Sequence, residues 1–291
     1  MTDNGRQRLR QLFDGVRAEG RTALLPFLTA GLPDQATSVA LFEAMAEAGA
    51  DGFEIGIPYS DPLMDGPVIA EAGALSLAAG TTTATSFEIA EAVFASTGKP
   101  ILLMTYTNPV LHFGIEAFMD RAIESGAAGL IIADLPVEES APFVNAAATA
   151  GLGMALFAAP TTSDERLQQI AAARPSFIYG VASLGVTGER AELSGRGSVL
   201  ADRIRAISDV PLVMGVGIST PEQAASAAAN ADGIIVGSAL VRRVLDAPDP
   251  RTAVSSVGGA VRALAAALRD ESLQRRLMRN SGRLGPASKL N

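Results

Sequence analysis

The chain has 291 residues, 48% of them hydrophobic and 19% charged, which is globular composition at a length suited to one large domain or two ordinary ones. Asp and Glu outnumber Lys and Arg by 31 to 23, and the net charge of −8 argues against nucleic acid as a partner. There is no Cys, one His (His112) and two Lys (Lys99 and Lys289), so thiol catalysis is excluded, zinc sites lack ligands, and any Schiff base must use one of those two lysines.

The first element predicted is a helix in which Leu9, Leu12, Phe13 and Val16 recur at helical spacing, an apolar stripe that must lie against whatever follows. Eight short apolar runs come next: Ala23–Thr29, Gly52–Ile57, Ile101–Thr105, Gly129–Ala133, Met154–Ala158, Phe177–Val181, Leu212–Gly215 and Gly233–Val236. Helix patterns separate them. Two carry start signals, a capping box at Thr162-Ser163-Asp164-Glu165 and an N-cap Thr220 followed by Pro221. Such alternation predicts the α/β class with a parallel sheet. Eight strands in about 250 residues match a single closed (β/α)8 TIM barrel with an extra N-terminal helix.

No linker or composition shift interrupts residues 1–271, which are read as one domain. Residues 272–291 form a basic tail with Arg275, Arg276, Arg279, Arg283 and Lys289 and no acid, read as a helix end plus a frayed terminus. The longest stretch without a charged side chain, Ser140 to Ser163, is broken by Pro142, Gly151, Gly153 and Pro160 and cannot span a membrane as one helix. The opening MTDNGRQRLR has no apolar signal core, which predicts a cytoplasmic protein without a membrane partner.

The second run and its extension, Gly52 to Pro67, carry the clearest chemical signal. Strand alternation sets Phe53, Ile55 and Ile57 on one face and Gly52, Glu54 and Gly56 on the other. The bulky face belongs to the helices, so Glu54 points into the barrel, where an ionised carboxylate is costly. Either it pairs with a buried Arg, which no strand run supplies, or it has a raised pKa suited to proton transfer. Asp65 lies in the following loop, where an Asp before Gly serves as a turn residue at least as often as a catalyst. Asp61, before Pro62, fits a turn role. The two longest intervals between strands follow the second and sixth, so the loops holding 57–66 and 182–197 are candidate lids.

Glycines cluster in the sixth loop (Gly185-Val186-Thr187-Gly188), after the seventh strand (Gly215-Val216-Gly217) and after the eighth (Gly237-Ser238). Each cluster alone is an ordinary tight turn. Together, at the end of strands seven and eight, they favour a phosphorylated substrate held by backbone amides and a helix start. Phe27, on the face of Leu25 and Thr29, is core filler or ligand wall. Tyr106 and Asn108 end the third strand, Asp134 the fourth, and Tyr179 lies in the sixth; any of them could serve the site or only hydrogen-bond a neighbouring loop. His112 reads as a loop residue.

The string FEIGIPYSDPLMDGP, with LPFLTAGLPD, MTYTNP, ADLPVEES, APTTSDERL, LGVTG and GVGIST in order along the barrel, closely resembles the tryptophan synthase alpha subunit family. The resemblance implies a lyase of tryptophan biosynthesis that cleaves indole-3-glycerol phosphate to indole and glyceraldehyde 3-phosphate. It implies no cofactor on this chain, pyridoxal phosphate on a beta-subunit partner, and a heterotetramer of two alpha and two beta chains. Residue by residue, Glu54 matches the catalytic acid/base and Asp65 the aspartate that holds the indole N–H. Phe27, Leu103 and Tyr106 fall at or near the indole pocket, and Tyr179 matches a substrate-proximal tyrosine. Gly188, Gly217, Gly237 and Ser238 match phosphate contacts, and Thr187 the lid threonine. Ala182-Ser183-Leu184 departs from the Ser-Arg pair of many relatives, which bears on the lid rather than on the chemistry. The competing readings are another sugar-phosphate barrel enzyme, a catalytically silent scaffold subunit and a stand-alone indole-releasing lyase.

Overall fold

The computed structural model describes residues 4–181, 190–215 and 217–283. Eight parallel strands close into one barrel in sequence order: β1 (Ala23–Thr29), β2 (Phe53–Gly56), β3 (Ile101–Thr105), β4 (Ala127–Ile132), β5 (Gly153–Ala158), β6 (Phe177–Val181), β7 (Leu212–Gly215) and β8 (Gly233–Val236). The closure is the pairing of β1 with β8, Ala23 opposite Gly233. The predicted runs and the strands differ chiefly at ends. β4 begins two residues earlier than its run, because Ala127 pairs with Ile101 although its small side chain adds little apolar signal.

Helix α1 (Gly5–Ala18) precedes the barrel and closes its floor, and Leu9, Phe13 and Val16 are buried on its inner stripe. The floor is shaped by glycine: a Cβ on Gly129 or Gly153 would stand 2.9 or 2.6 Å from Leu9 Cδ1, and one on Gly233 3.4 Å from Phe13 Cε1. Small residues at the strand starts therefore make the socket into which α1 seats.

The outer layer contains α2 (Gln35–Glu47), α3 (Pro67–Ala78), α4 (Thr83–Thr97), α5 (Thr107–Phe113), α6 (Ile115–Glu124), α7 (Ala141–Ala150), α8 (Asp164–Ala172), α9 (Arg190–Arg205), α10 (Pro221–Ala228), α11 (Ser238–Leu245) and α12 (Pro250–Arg283). The capping box at α10 is complete, with Thr220 accepting from the Gln223 N–H and Gln223 returning to the Thr220 backbone. At α8 the cap is Ser163, which accepts from the Arg166 N–H, and not Thr162. Thr162 is occupied one turn earlier, where its hydroxyl accepts from the Ala159 N–H at 2.9 Å. His112 lies on α5, a helix started just before Pro109, rather than in a loop. Helix α12 runs past residue 271, and Ser272 is buried there with its hydroxyl on the Leu268 carbonyl at 2.8 Å. No helix among the described residues is long and apolar enough to cross a membrane.

Candidate active site

Strand register decides which side chains enter the barrel. Phe27, Glu54 and Leu102 are opposite one another on β1, β2 and β3, and so are Leu28, Ile55 and Leu103 one step along. Partners in a parallel ladder share a face. The ring of Phe53 packs 5.3 Å from that of Phe42 on α2, which fixes the row of Phe53 and Ile55 as helix-facing. Glu54 therefore points inward with Phe27. Leu103 belongs to the outer row, buried under the helices, and cannot wall a cavity inside the barrel. Met104 takes that place: it stands opposite Gly56 and lines a nook at the barrel top with Phe27, Thr29, Tyr59 and Asp65. Counting back in twos from Tyr106 would have found it.

Glu54 is 2% exposed, and its Oε2 has no hydrogen-bond partner. Burial, and secondarily the charge of Asp65, pushes its carboxyl up to about 8. Asp65 is raised to about 6 by burial, a rise moderated by a hydrogen bond from the Tyr106 hydroxyl. The same hydroxyl accepts the Met64 N–H at 3.2 Å, tying the loop after β2 to the end of β3. Two carboxyls with unlike environments therefore face one space, and near neutral pH one is mainly protonated while the other is mainly ionised.

Tyr179, on β6, packs its ring 4.8 Å from Phe157. Its hydroxyl is held well above the usual phenol range by burial and then by the charges of Glu54 and Asp65, so it borders the same space. Glycine again makes the room. A Cβ on Gly56 would meet the Phe27 ring at 2.6 Å, and one on Gly215 would collide with the Tyr179 hydroxyl. At the anion end, Gly217 has φ +64°, a left-handed conformation that favours glycine, and Gly237 and Ser238 open α11. Ser238 is exposed, at a helix start whose amides favour an anion. Thr187 and Gly188 lie outside the described residues, as does the whole of 182–189. Among the described residues no three His, Cys, Asp or Glu side chains gather in a group able to hold a metal ion.

A closed (β/α)8 barrel with one carboxyl, Glu54, buried inside it and a second, Asp65, on the loop after the same strand, and with glycine turns after β7 and β8, defines a carboxylate acid/base barrel enzyme. Comparison with known proteins specifies it. The family described as tryptophan synthase alpha chain matches residues 13–269, and the chain belongs to that family. The tryptophan synthase alpha chain of Streptomyces coelicolor is 42% identical over 262 residues, covering 90% of this chain and 95% of the relative. That of Thermobifida fusca is 42% identical over 264 residues, with 90% and 97% covered. Among solved structures, tryptophan synthase subunit alpha of Legionella pneumophila superposes with a TM-score of 0.83 at 32% identity, covering 92% of this chain and 100% of that one. A chain of Mycobacterium tuberculosis tryptophan synthase gives 0.82 at 37% identity, with 90% and 98% covered.

Proposed function

We propose that this chain cleaves indole-3-glycerol phosphate to indole and glyceraldehyde 3-phosphate by the retro-aldol chemistry of its family, with Glu54 and Asp65 as its catalytic groups. The observation that carries the reading is Glu54: an inward carboxyl, buried and lacking a partner on Oε2, held protonated near neutral pH beside an Asp65 that stays largely ionised. Protonated Glu54 delivers its proton to indole C3, and Asp65 accepts the ring N–H as positive charge develops there. The Glu54 carboxylate then takes the proton of the glycerol hydroxyl beside the bond that breaks. The bonding electrons return to the ring, indole and the aldehyde separate, and Glu54 is again protonated. No metal or lysine is needed in this sequence.

Phe27, Met104, Tyr106 and Tyr179 wall the indole in this reading, with Met104 in the part assigned on sequence to Leu103. Gly217, Gly237 and Ser238, together with Thr187 and Gly188, receive the phosphate. The partner is a pyridoxal-phosphate beta subunit, in an assembly of two alpha and two beta chains in the cytoplasm. Two segments that meet at the barrel mouth, the 57–66 loop and α5, support a docking face there: they expose Leu63 (79%), Met64 (62%), Leu111 (53%) and Phe113 (38%). Incubation with indole-3-glycerol phosphate, with and without a beta subunit, and measurement of indole tests the activity. No indole in either arm refutes it. Full activity alone, with no complex on size exclusion, would instead favour the stand-alone lyase.

A further inference from the structure

Three consecutive residues after β3 organise the barrel mouth, and two of them reach the 57–66 loop directly. Tyr106, 2% exposed, accepts the Met64 N–H on its hydroxyl at 3.2 Å, one residue before Asp65, whose carboxyl the same hydroxyl holds down. Asn108 Nδ2 donates to the Tyr59 hydroxyl at 3.1 Å near the other end of the loop. Thr107, between them, turns the opposite way. Its N–H and its hydroxyl both donate to Asp134 Oδ1, at 2.7 and 2.9 Å.

Asp134 sits two residues beyond the end of β4. Helix α5 starts at Thr107, and its own N-cap residue, Tyr106, offers no capping bond. The Asp134 carboxylate therefore supplies from the neighbouring strand what that helix start lacks: an acceptor for the first N–H and a negative charge at the positive end of the helix. This fixes the backbone from which Tyr106 reaches Asp65. Among the described residues no cation pairs with Asp65, so its placement depends on Tyr106 and on the turn in which its N–H donates to the Pro62 carbonyl at 3.0 Å.

We propose that Asp134 is a positioning residue for Asp65: by holding Thr107 it sets the Tyr106 hydroxyl, and through the Met64 N–H bound to that hydroxyl it sets the loop that carries the carboxyl receiving the indole N–H. The proposal rests on the reading of Asp65 given above. Asp134 is exposed and does not line the nook, so it acts through Thr107 and Tyr106 and not on the substrate. A displacement of about 1 Å at a reacting group is enough to cost one to two powers of ten in rate.

The test is steady-state kinetics of indole release by the complex with the beta subunit for Asp134→Ala, Asp134→Asn and Thr107→Val, with Asp65→Asn as reference. Asp134→Ala is expected to lower kcat about tenfold with KM within about twofold. Asp134→Asn should retain at least about a third of the parent kcat, because its amide oxygen still accepts both Thr107 bonds. Thr107→Val keeps the N–H bond and loses the hydroxyl bond, so it should fall between; it carries the test if Asp134→Ala does not fold. The acid limb of kcat supplies a readout that a merely structural role would not move. The groups facing Asp65 are Glu54 from β2, Tyr106 after β3 and Tyr179 from β6, and the Tyr106 bond is what holds the Asp65 carboxyl down. Releasing it should move the limb to higher pH in Asp134→Ala and leave it in place in Asp134→Asn. Parent-like kinetics of Asp134→Ala beside a severely impaired Asp65→Asn overturns the positioning role while leaving the Asp65 reading intact. Equal impairment of the Ala and Asn variants overturns it too, since geometry would then not be what matters. A fully active Asp65→Asn removes the reading on which the proposal stands.

Discussion

Replacing Glu54 by Gln should abolish turnover and make the protein more stable, by an amount that depends on pH. The Glu54 carboxyl rises from the ordinary 4.5 to about 8 on folding. An acid whose pKa is raised in the folded state gives its full stability below the unfolded value and loses it as pH climbs through the folded one. The window here runs from 4.5 to about 8, and across it the unfolded chain ionises Glu54 while the folded chain keeps the proton. At about 1.4 kcal/mol per pH unit, the cost between pH 5 and pH 8 is about 3 to 4 kcal/mol. The Gln variant has no proton to lose and escapes it. Urea unfolding of both proteins at pH 5 and pH 8 measures the difference in the pH dependence of stability, in which constant effects of the amide and the titration of Asp65 largely cancel. Turnover of the variant should fall by more than about a hundredfold, since an amide holds the shape and cannot pass a proton. If the stability gap between variant and parent is the same at both pH values, Glu54 is not held protonated in the folded protein. Turnover within tenfold of the parent would remove it from the chemistry altogether.

The same two carboxyls predict a bell-shaped kcat/KM profile, rising with the ionisation of Asp65 near 6 and falling with that of Glu54 near 8; in Asp65→Asn the alkaline limb should move to lower pH, because a negative neighbour has been removed. Asp at Ser238 should weaken binding of glyceraldehyde 3-phosphate at least about tenfold while sparing indole, measured by calorimetry, and equal losses for both ligands would show a collapsed loop instead. At the barrel floor, Gly153→Val should cost about 1 to 3 kcal/mol in urea unfolding, because even its Cβ would stand 2.5 Å from Ser176 Oγ and 2.6 Å from Leu9 Cδ1; parent-like stability would mean that α1 does not depend on that socket.

The barrel was legible because its strands are short apolar runs whose number and order require no long-range information. Glu54 was legible for a related reason: a lone acid alternating with glycines on a strand otherwise made of Phe and Ile has one face available to it. Leu103 shows the limit of matching by motif alone. A one-residue slip on a strand sends a side chain to the opposite face, and only the register with Ile55 reveals that Met104, opposite Gly56, is the one that looks inward. The cap at α8 failed on a finer scale. Thr162 and Ser163 are both competent N-caps, and the choice fell to Ser163 because the Thr162 hydroxyl serves the turn before it, at Ala159. The part played by Asp134 lay beyond sequence reasoning for a different reason, since its bonds to Thr107 join positions 27 residues apart on neighbouring strand ends.

Strand β2 also shows why the acid can stay where it is. A buried carboxyl with an unpartnered oxygen is destabilising, and one bond from a neighbouring Arg would relieve it, yet that bond would also hold the pKa low and leave no proton to give. Phe27 and Leu102 flank Glu54 in the inner row, and neither offers a donor. Asp65 raises the cost by its charge. Stability is recovered instead at places remote from the chemistry, through the packing of Leu9, Phe13 and Val16 under the floor and the buried outer row that includes Phe53, Ile55 and Leu103. The two demands are separated by one residue of alternation: Ile55 packs outward against the helices, and Glu54, its neighbour in the chain, is left to do the acid chemistry.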